Sequence, residues 1–310
     1  MSRPNPWYNG CGFLGEPVYN PFDILLFIDK GRSFRNYWFE TGNPSFLIEL
    51  LRRRRLFLPD LEGIEASEEI LDSFDIERID PVTLLFQTGY LTIDHTREEF
   101  GQWLFALRVP NQEVRQALAN HLADAYTERL PSERLDWQRA LYAPLSSGDV
   151  PALIAAIQRL FAGIPWRNFT GNDLPEAEGY YASVLLYAFF ASVNAEVIPE
   201  DISNHGQADL TVKVSGYIYV MEIKVRRGGG SDQVSALPEL GAQADRLAGA
   251  SPSSEQPRAV DTGNPALAQI RARGYSAKYR GLPSQGLFEL GLVFDPDVRN
   301  LVQADWHPVA

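Results

Sequence analysis

The sequence predicts an α/β fold, in which a mostly helical N-terminal domain carrying a β-hairpin precedes a domain of helices packed on a mixed sheet. Three observations carry this prediction. The 310 residues are 45% hydrophobic and 12% aromatic, enough to fill two cores of ordinary size. Proline directly follows Asn or Asp at Asn43-Pro44, Asp80-Pro81 and Asn264-Pro265. That is the pattern of a helix N-cap followed by proline in the first turn, where its missing N–H costs nothing. Finally, the patterns of the second half run helix, three strands, helix, two strands.

Taken in order, Asn43 caps a helix from Pro44 to Arg55, and Asp80 one from Pro81 to Thr88. Tyr90 to Ile93 and Phe100 to Val109 are apolar and aromatic runs, and the polar segment 94–99 between them reads as the loop of a hairpin. A helical period resumes after Asn111 and fades near Leu130, so residues 1–130 form the first domain. Residues 131–148 read as a connector with some helix in it. Asp149 then caps a helix through Phe161, opening the second domain at 149–310. Asp173-Leu174-Pro175 starts a long apolar helix to Val193. Its most apolar part, Tyr181 to Val193, is too short to span a bilayer, so a buried helix is expected and no membrane partner. Strands follow at Ala195 to Ile198, Gln207 to Val214 and Tyr217 to Val225. The stretch 226–263, rich in Gly, Ser, Pro and Ala, reads as an insertion with a short helix at Pro238 to Leu247. Asn264-Pro265 begins the last helix, and strands at Leu287 to Phe294 and Arg299 to Ala304 close the domain.

The single cysteine, Cys11, excludes a disulfide framework or a cysteine-built metal site within one chain and fits a reducing cytoplasm. The four histidines lack any metal-ligand spacing of the HExxH kind, and no Gly-x-Ser-x-Gly elbow is present. The net charge of −12 argues against a large nonspecific nucleic-acid surface. That acidity sits mostly in residues 1–150, with 15 basic and 23 acidic side chains, against 13 and 17 in residues 151–310.

One constellation carries chemistry. A tight turn at Ser215-Gly216 joins Gln207–Val214 to Tyr217–Val225 and places Asp209 opposite Glu222, with Cβ atoms roughly 5 Å apart. Lys224 is two residues beyond Glu222, so the three side chains share one face, while Leu210, Val212, Met221 and Ile223 point to a core. Two carboxylates at that distance repel unless a cation lies between them. A hard divalent ion with oxygen ligands, Mg2+ or Mn2+, is the natural occupant. The backbone carbonyl of Ile223 offers a further ligand, and Lys224 a charge to orient a water nucleophile. The same spacing also fits an ordinary ion pair on a solvent-facing strand, and a bulge would move Asp209 off Glu222.

The pattern Gln207-Ala-Asp-Leu, Met221-Glu-Ile-Lys-Val and Ala268-Gln-Ile-Arg-Ala-Arg-Gly-Tyr-Ser-Ala-Lys-Tyr279 resembles PD-(D/E)xK nuclease domains attached to AAA-ATPase-like proteins. Upstream, Tyr8-Asn-Gly, Tyr19-Asn-Pro-Phe, the run from Tyr37 to Leu47 and the run from Leu85 to Ile93 look like the region joining ATPase to nuclease in that family. The resemblance implies a restriction-endonuclease-like core of αβββαβ order. It implies metal ligation by Asp209 and Glu222, Lys224 as catalytic lysine, Glu178 as an auxiliary acid on the preceding helix, and Gln269 facing the site from the following one. Each of these last two also suits an ordinary helix surface. No Gly-x-x-x-x-Gly-Lys-Ser/Thr loop is present, so ATP hydrolysis by this chain itself is not expected. Arg271, Arg273, Lys278 and Arg280 flank the helix of Gln269 and are candidates for phosphate contacts; Arg52 to Arg55 read better as a solvated helix C-terminus. The function expected is Mg2+-dependent hydrolysis of phosphodiester bonds in DNA. The alternative is a catalytically silent nuclease-fold adaptor that docks nucleic acid or a separate AAA-type ATPase.

Overall fold

Several helix starts among the described residues are set by side chains that accept the first free N–H groups, those of Asp80, Asn111, Asp149 and Asn264. The structure, a computed structural model, describes residues 9–11, 18–32, 61, 63–72, 80–128, 130–165, 176–226, 234–236 and 263–309. It divides into two units between Ala125 and Tyr126. The helices expected at 44–55 and 238–247, the run Arg52 to Arg55, and most of the insertion expected at 226–263 lie outside the described residues.

In the first unit, strands β1 (Asn9–Cys11) and β2 (Val18–Tyr19) pair, and helix α1 (Pro21–Asp29) follows. Strand β3 (Ile64–Ser67), helix α2 (Glu68–Asp72) and helix α3 (Pro81–Gln87) come next. The Asp80 carboxylate accepts from the Val82 N–H at 2.7 Å, which is the cap read from the sequence. Strands β4 (Thr92–Glu99) and β5 (Gln102–Arg108) complete an antiparallel sheet of order β3-β5-β4, and helix α4 (Gln112–Thr127) follows, its last two residues past the division.

The hairpin corrects one expectation. Residues 94–99 are strand, not loop, and the turn is the two-residue Phe100-Gly101. Their charges suit a strand exposed along one side: Arg97 pairs with Glu65 across the sheet at 2.6 Å and with Glu99 at 2.9 Å. Phe100 and Gly101 both have positive φ, 54° and 73°, as the turn type favoured in two-residue hairpins requires. Phe100 is 94% exposed, so nothing packs on its ring to offset that conformation. Phe100→Asn is therefore expected to stabilise the chain by about 0.5–1 kcal/mol, read as a higher urea midpoint. A lowered midpoint would contradict it.

In the second unit, helix α5 (Pro131–Ser147) occupies the segment expected as a connector. Glu133 accepts from the Leu130 N–H at 3.0 Å at its start, and Gly148 ends it in the left-handed conformation. Helix α6 (Val150–Ala162) is capped by Asp149, whose carboxylate accepts from the Ala152 N–H at 3.0 Å. Helix α7 (Glu176–Ser192) follows, then strands β6 (Glu196–Ser203), β7 (Gly206–Val214), β8 (Tyr217–Arg226) and β9 (Val234–Ala236). Helix α8 (Pro265–Arg273), a 3-10 turn at Tyr275–Tyr279, and strands β10 (Gly286–Asp295) and β11 (Asn300–Val309) finish the unit.

The main sheet has the order β11-β10-β8-β7-β6, with β9 also pairing on β8. Only β8 and β10 run parallel; the others are antiparallel, so the sheet is mixed. One face carries Tyr219, Phe288 and Phe294. It is covered by α5, α6 and α7, joined through Trp137, Phe161 and Phe189 with ring centroids 5.4 and 6.1 Å apart. Phe161 meets Phe294 at 4.7 Å, and the fully buried Tyr219 donates its hydroxyl to the Leu145 carbonyl at 2.5 Å. The opposite face carries Ile218, Val220 and Leu287, and packs against Ile270 of α8 with Tyr275 and Tyr279. Among the described residues no helix is long and apolar enough to cross a membrane.

Candidate active site

The turn that sets the site's register is Ser215-Gly216, both residues at positive φ (49° and 82°) between the paired Val214 and Tyr217. From it β7 and β8 pair continuously back to Leu210 opposite Met221. There the ladder stops and the strands part. One position further lie Asp209 and Glu222, and in place of a ladder bond the Ile223 N–H donates to Asp209 Oδ2 at 2.6 Å. Beyond the parting, β9 pairs with β8 at Lys224–Arg226. The Ile223 carbonyl points to the same side of its strand as its N–H, into the space between β7 and β9.

Glu222 and Lys224 are 2% and 4% exposed, extreme values for charged residues, and Lys224 Nζ lies 2.8 Å from Glu222 Oε1. Asp209 is half-buried. The solvent-facing ion pair that the spacing alone allowed is excluded, because neither partner of the Glu222–Lys224 pair faces solvent. Burial raises the Glu222 pKa, and the Lys224 ammonium, the Asp209 N–H and Gln269 work against that rise. Glu222 Oε2 is buried and accepts no hydrogen bond of its own. Asp209 is pushed up to about 8 by burial first and by the Glu222 charge second, against the Ile223 N–H and Lys224.

Gln269 reaches this cluster from the second turn of α8 and donates to the Tyr275 hydroxyl at 3.3 Å. Its helix is pinned at the start by Asn264. The Asn264 side chain accepts from the Ala266 and Leu267 N–H groups at 3.0 and 3.1 Å, and donates to the Gly291 carbonyl at 3.0 Å and to Asp305 at 2.9 Å. Gly291 stands beside Glu222 in the β8–β10 register, so the helix that carries Gln269 is fastened next to the acid it serves.

The other expected residues are placed less centrally. Glu178 is in the first turn of α7, and its side chain lies outside the described residues. Arg273 and Arg280 are exposed and Arg271 is half-buried. Lys278, expected at a phosphate, is engaged elsewhere: it pairs with the buried Asp201 and donates to the Ile202 carbonyl at 2.6 Å. Asp201 also accepts from Thr211 at 2.6 Å and Tyr279 at 2.7 Å, so this network fastens the 3-10 turn to β6. Tyr275 was not singled out from the sequence. Its hydroxyl contact depends on the turn after α8, which no local pattern announces.

The donor set fits a hard divalent cation. A buried carboxylate oxygen without a hydrogen bond, a second carboxyl destabilised by the first, and a strand carbonyl turned toward the same gap are what such an ion would satisfy. No cluster of three or more His, Cys, Asp or Glu stands within metal-binding range among the described residues, so the described set centres on the Asp209–Glu222 pair.

The Asp209 shift sets a pH dependence. A carboxyl whose folded value is raised from 3.8 to about 8 contributes stability that is present below the unfolded value and gone once pH passes the folded one. Asp209→Asn keeps the acceptor for Ile223 and removes the charge. In EDTA at pH 8.5 it is expected to raise the melting temperature by roughly 5 °C, with the gap closing toward pH 4. An equal gap at both pH values would contradict the assignment.

Residues 176–304 match the family model of the PD-(D/E)XK nuclease superfamily. An uncharacterized protein in the vnfD 5′ region of Azotobacter chroococcum mcd 1 is 36% identical over 296 residues. That alignment takes in 96% of this chain and 50% of the relative, so the chain spans about half the length of the curated relative it matches. No solved structure matches the chain.

Proposed function

We propose that this chain, whose residues 176–304 match the PD-(D/E)XK nuclease superfamily, hydrolyses phosphodiester bonds in DNA with Mg2+ or Mn2+ held by Asp209, Glu222 and the Ile223 carbonyl. The observation that carries the proposal is the trio itself: buried Glu222 ion-paired to Lys224, with one carboxylate oxygen left without a hydrogen bond, beside Asp209, whose side chain accepts from the Ile223 N–H. A structural ion pair needs no second carboxyl pressed against it.

A bound divalent ion would neutralise charge on the scissile phosphate and lower the pKa of a water. The remaining roles belong to the chain. Asp209 and Glu222 supply the negative charge that selects a dication. Lys224 Nζ favours the ionised form of Glu222 and would offer a fixed positive charge to the phosphate as negative charge builds on it. Gln269, held by Tyr275, donates toward Glu222 and fixes its orientation. Glu178 would serve as an auxiliary acid from α7, and Arg271, Arg273 and Arg280 would meet flanking phosphates on the α8 side.

The net charge of −12, which works against a large nucleic-acid surface, favours a second reading, an adaptor that docks an AAA-type ATPase without cleaving. A melting experiment separates the two. Mn2+ is expected to raise the melting temperature of the full chain, because a ligand bound to the folded state alone stabilises it, and Glu222→Ala is expected to lose that shift. No shift in the unmodified chain would sink the metal-dependent enzyme and leave the adaptor.

A further inference from the structure

Two buried carboxylates of the second unit have no place in the cation site, and both hold the same short turn. Asp201 of β6 is 5% exposed and accepts from Thr211 at 2.6 Å, from Tyr279 at 2.7 Å and from the Lys278 ammonium. Glu289 of β10 is 3% exposed and accepts from the Ser276 hydroxyl at 2.6 Å. Ser276, Lys278 and Tyr279 all belong to the 3-10 turn at Tyr275–Tyr279. In the strand order β10 and β6 lie on either side of β8 and β7, so the turn is tied across the two strands that carry Glu222 and Asp209. Its tyrosines already pack with Ile218, Val220 and Ile270. Packing alone would seat the turn; directional bonds to buried acceptors fix where its side chains stand.

What the turn carries toward the site is Tyr275. The Tyr275 hydroxyl accepts from Gln269 at 3.3 Å, and its ring lies over Gly206 at the start of β7, where an added Cβ would come within 3.3 Å of it. Burial raises the Tyr275 pKa, and the charges of Glu222 and Asp209 add to the rise, as befits a hydroxyl close to both acids. Gln269 in turn donates to Glu222.

We propose that Asp201 is a positioning residue of the candidate active site: through the turn at Tyr275–Tyr279 it holds Tyr275, and through Tyr275 it sets the Gln269 amide against Glu222. The inference rests on the role proposed above for Glu222. Asp201 acts through other residues and not on the reacting atoms. With Glu289 fixing the β10 end of the turn, release of Asp201 leaves that turn tied at one end and free to pivot away from Gln269.

Asp201→Asn, Tyr279→Phe, Gln269→Ala and the double variant Asp201→Asn/Gln269→Ala, all in the full chain, test this in two ways. In EDTA, the Gln269 side-chain amide signal, identified in nitrogen–proton correlation spectra by its absence from Gln269→Ala, is expected to shift in Asp201→Asn. In Mg2+, Asp201→Asn is expected to lower kcat for DNA cleavage about tenfold at a temperature where it is folded, and to lower it no further in the Gln269→Ala background, because the two residues act in one chain of contacts. Tyr279→Phe, which removes one donor and leaves the Asp201 carboxylate in place, is expected to give the same pattern at about threefold, and it carries the test should Asp201→Asn fail to fold. An unmoved Gln269 signal, or kcat losses that multiply in the double variant, would overturn the role of Asp201 and leave the proposed function standing. Absence of cleavage by the unmodified chain would overturn the proposed function and with it the catalytic part of this role.

Discussion

Lys224→Met is expected to reduce cleavage at least a thousandfold and to destabilise the chain by about 3–5 kcal/mol, whereas the double variant Glu222→Gln/Lys224→Met recovers the stability and none of the activity. The stability loss follows from burial. With Glu222 at 2% exposure and Lys224 at 2.8 Å, removing the ammonium leaves a carboxylate in a desolvated site, which must either remain charged without a partner or take up a proton. Both alternatives are costly at neutral pH, and the cost diminishes as pH falls, since burial already raises the Glu222 pKa. Glu222→Gln in the second position removes the charge that had been left behind. On the proposed function the activity does not return, because Glu222 would hold the cation and Lys224 would meet the phosphate. Urea denaturation and cleavage rates of the three variants check this. Equal stability of Lys224→Met and the unmodified chain would contradict the buried pair.

The second large effect lies outside the charged cluster. A Cβ on Gly291 would stand 2.3 Å from the Leu267 nitrogen, 2.7 Å from Asn264 Oδ1 and 2.7 Å from Leu267 Cβ. Two of those atoms are backbone or the N-cap itself, so no flexible side-chain end can swing aside. Gly291→Ala is therefore expected to lift the start of α8 from the sheet, weaken its cap and destabilise the chain by about 3 kcal/mol. Since α8 carries Gln269 toward Glu222, cleavage is expected to fall even at temperatures where the variant remains folded. A folded variant with unchanged stability by urea denaturation would show that α8 is not seated as described.

The core of the site was legible because its signals are local. Ser215-Gly216 is a turn that can be read from two residues, and once it is placed the pleat fixes Asp209, Glu222 and Lys224 on one face. The caps at Asp80, Asp149 and Asn264 were legible for the same reason: an acceptor side chain and the donors it serves lie within three residues. The strand 94–99 was not, because its charges resemble those of a loop, and only its pairing with β5 distinguishes them. Helix α5 was read as a connector since Pro144, Ser146, Ser147 and Gly148 crowd its end. Pro144 lies in its last turn, where the Ser146 and Ser147 hydroxyls donate to the Ala143 carbonyl at 3.2 and 2.9 Å. The parting of β7 from β8 has no sequence signature, since it arises from contacts between strands. Nor does the engagement of Lys278 by Asp201, residues 77 apart in the chain.

The most direct measurement is cleavage of single- and double-stranded DNA and RNA by the purified chain in Mg2+ or Mn2+, alongside Glu222→Gln and EDTA. Metal-dependent cleavage of DNA that disappears in both controls, with Glu222→Gln folded, is the predicted result. Absence of cleavage of every substrate in either metal, or cleavage that persists undiminished in Glu222→Gln, would contradict the assignment of the buried trio as a nuclease centre.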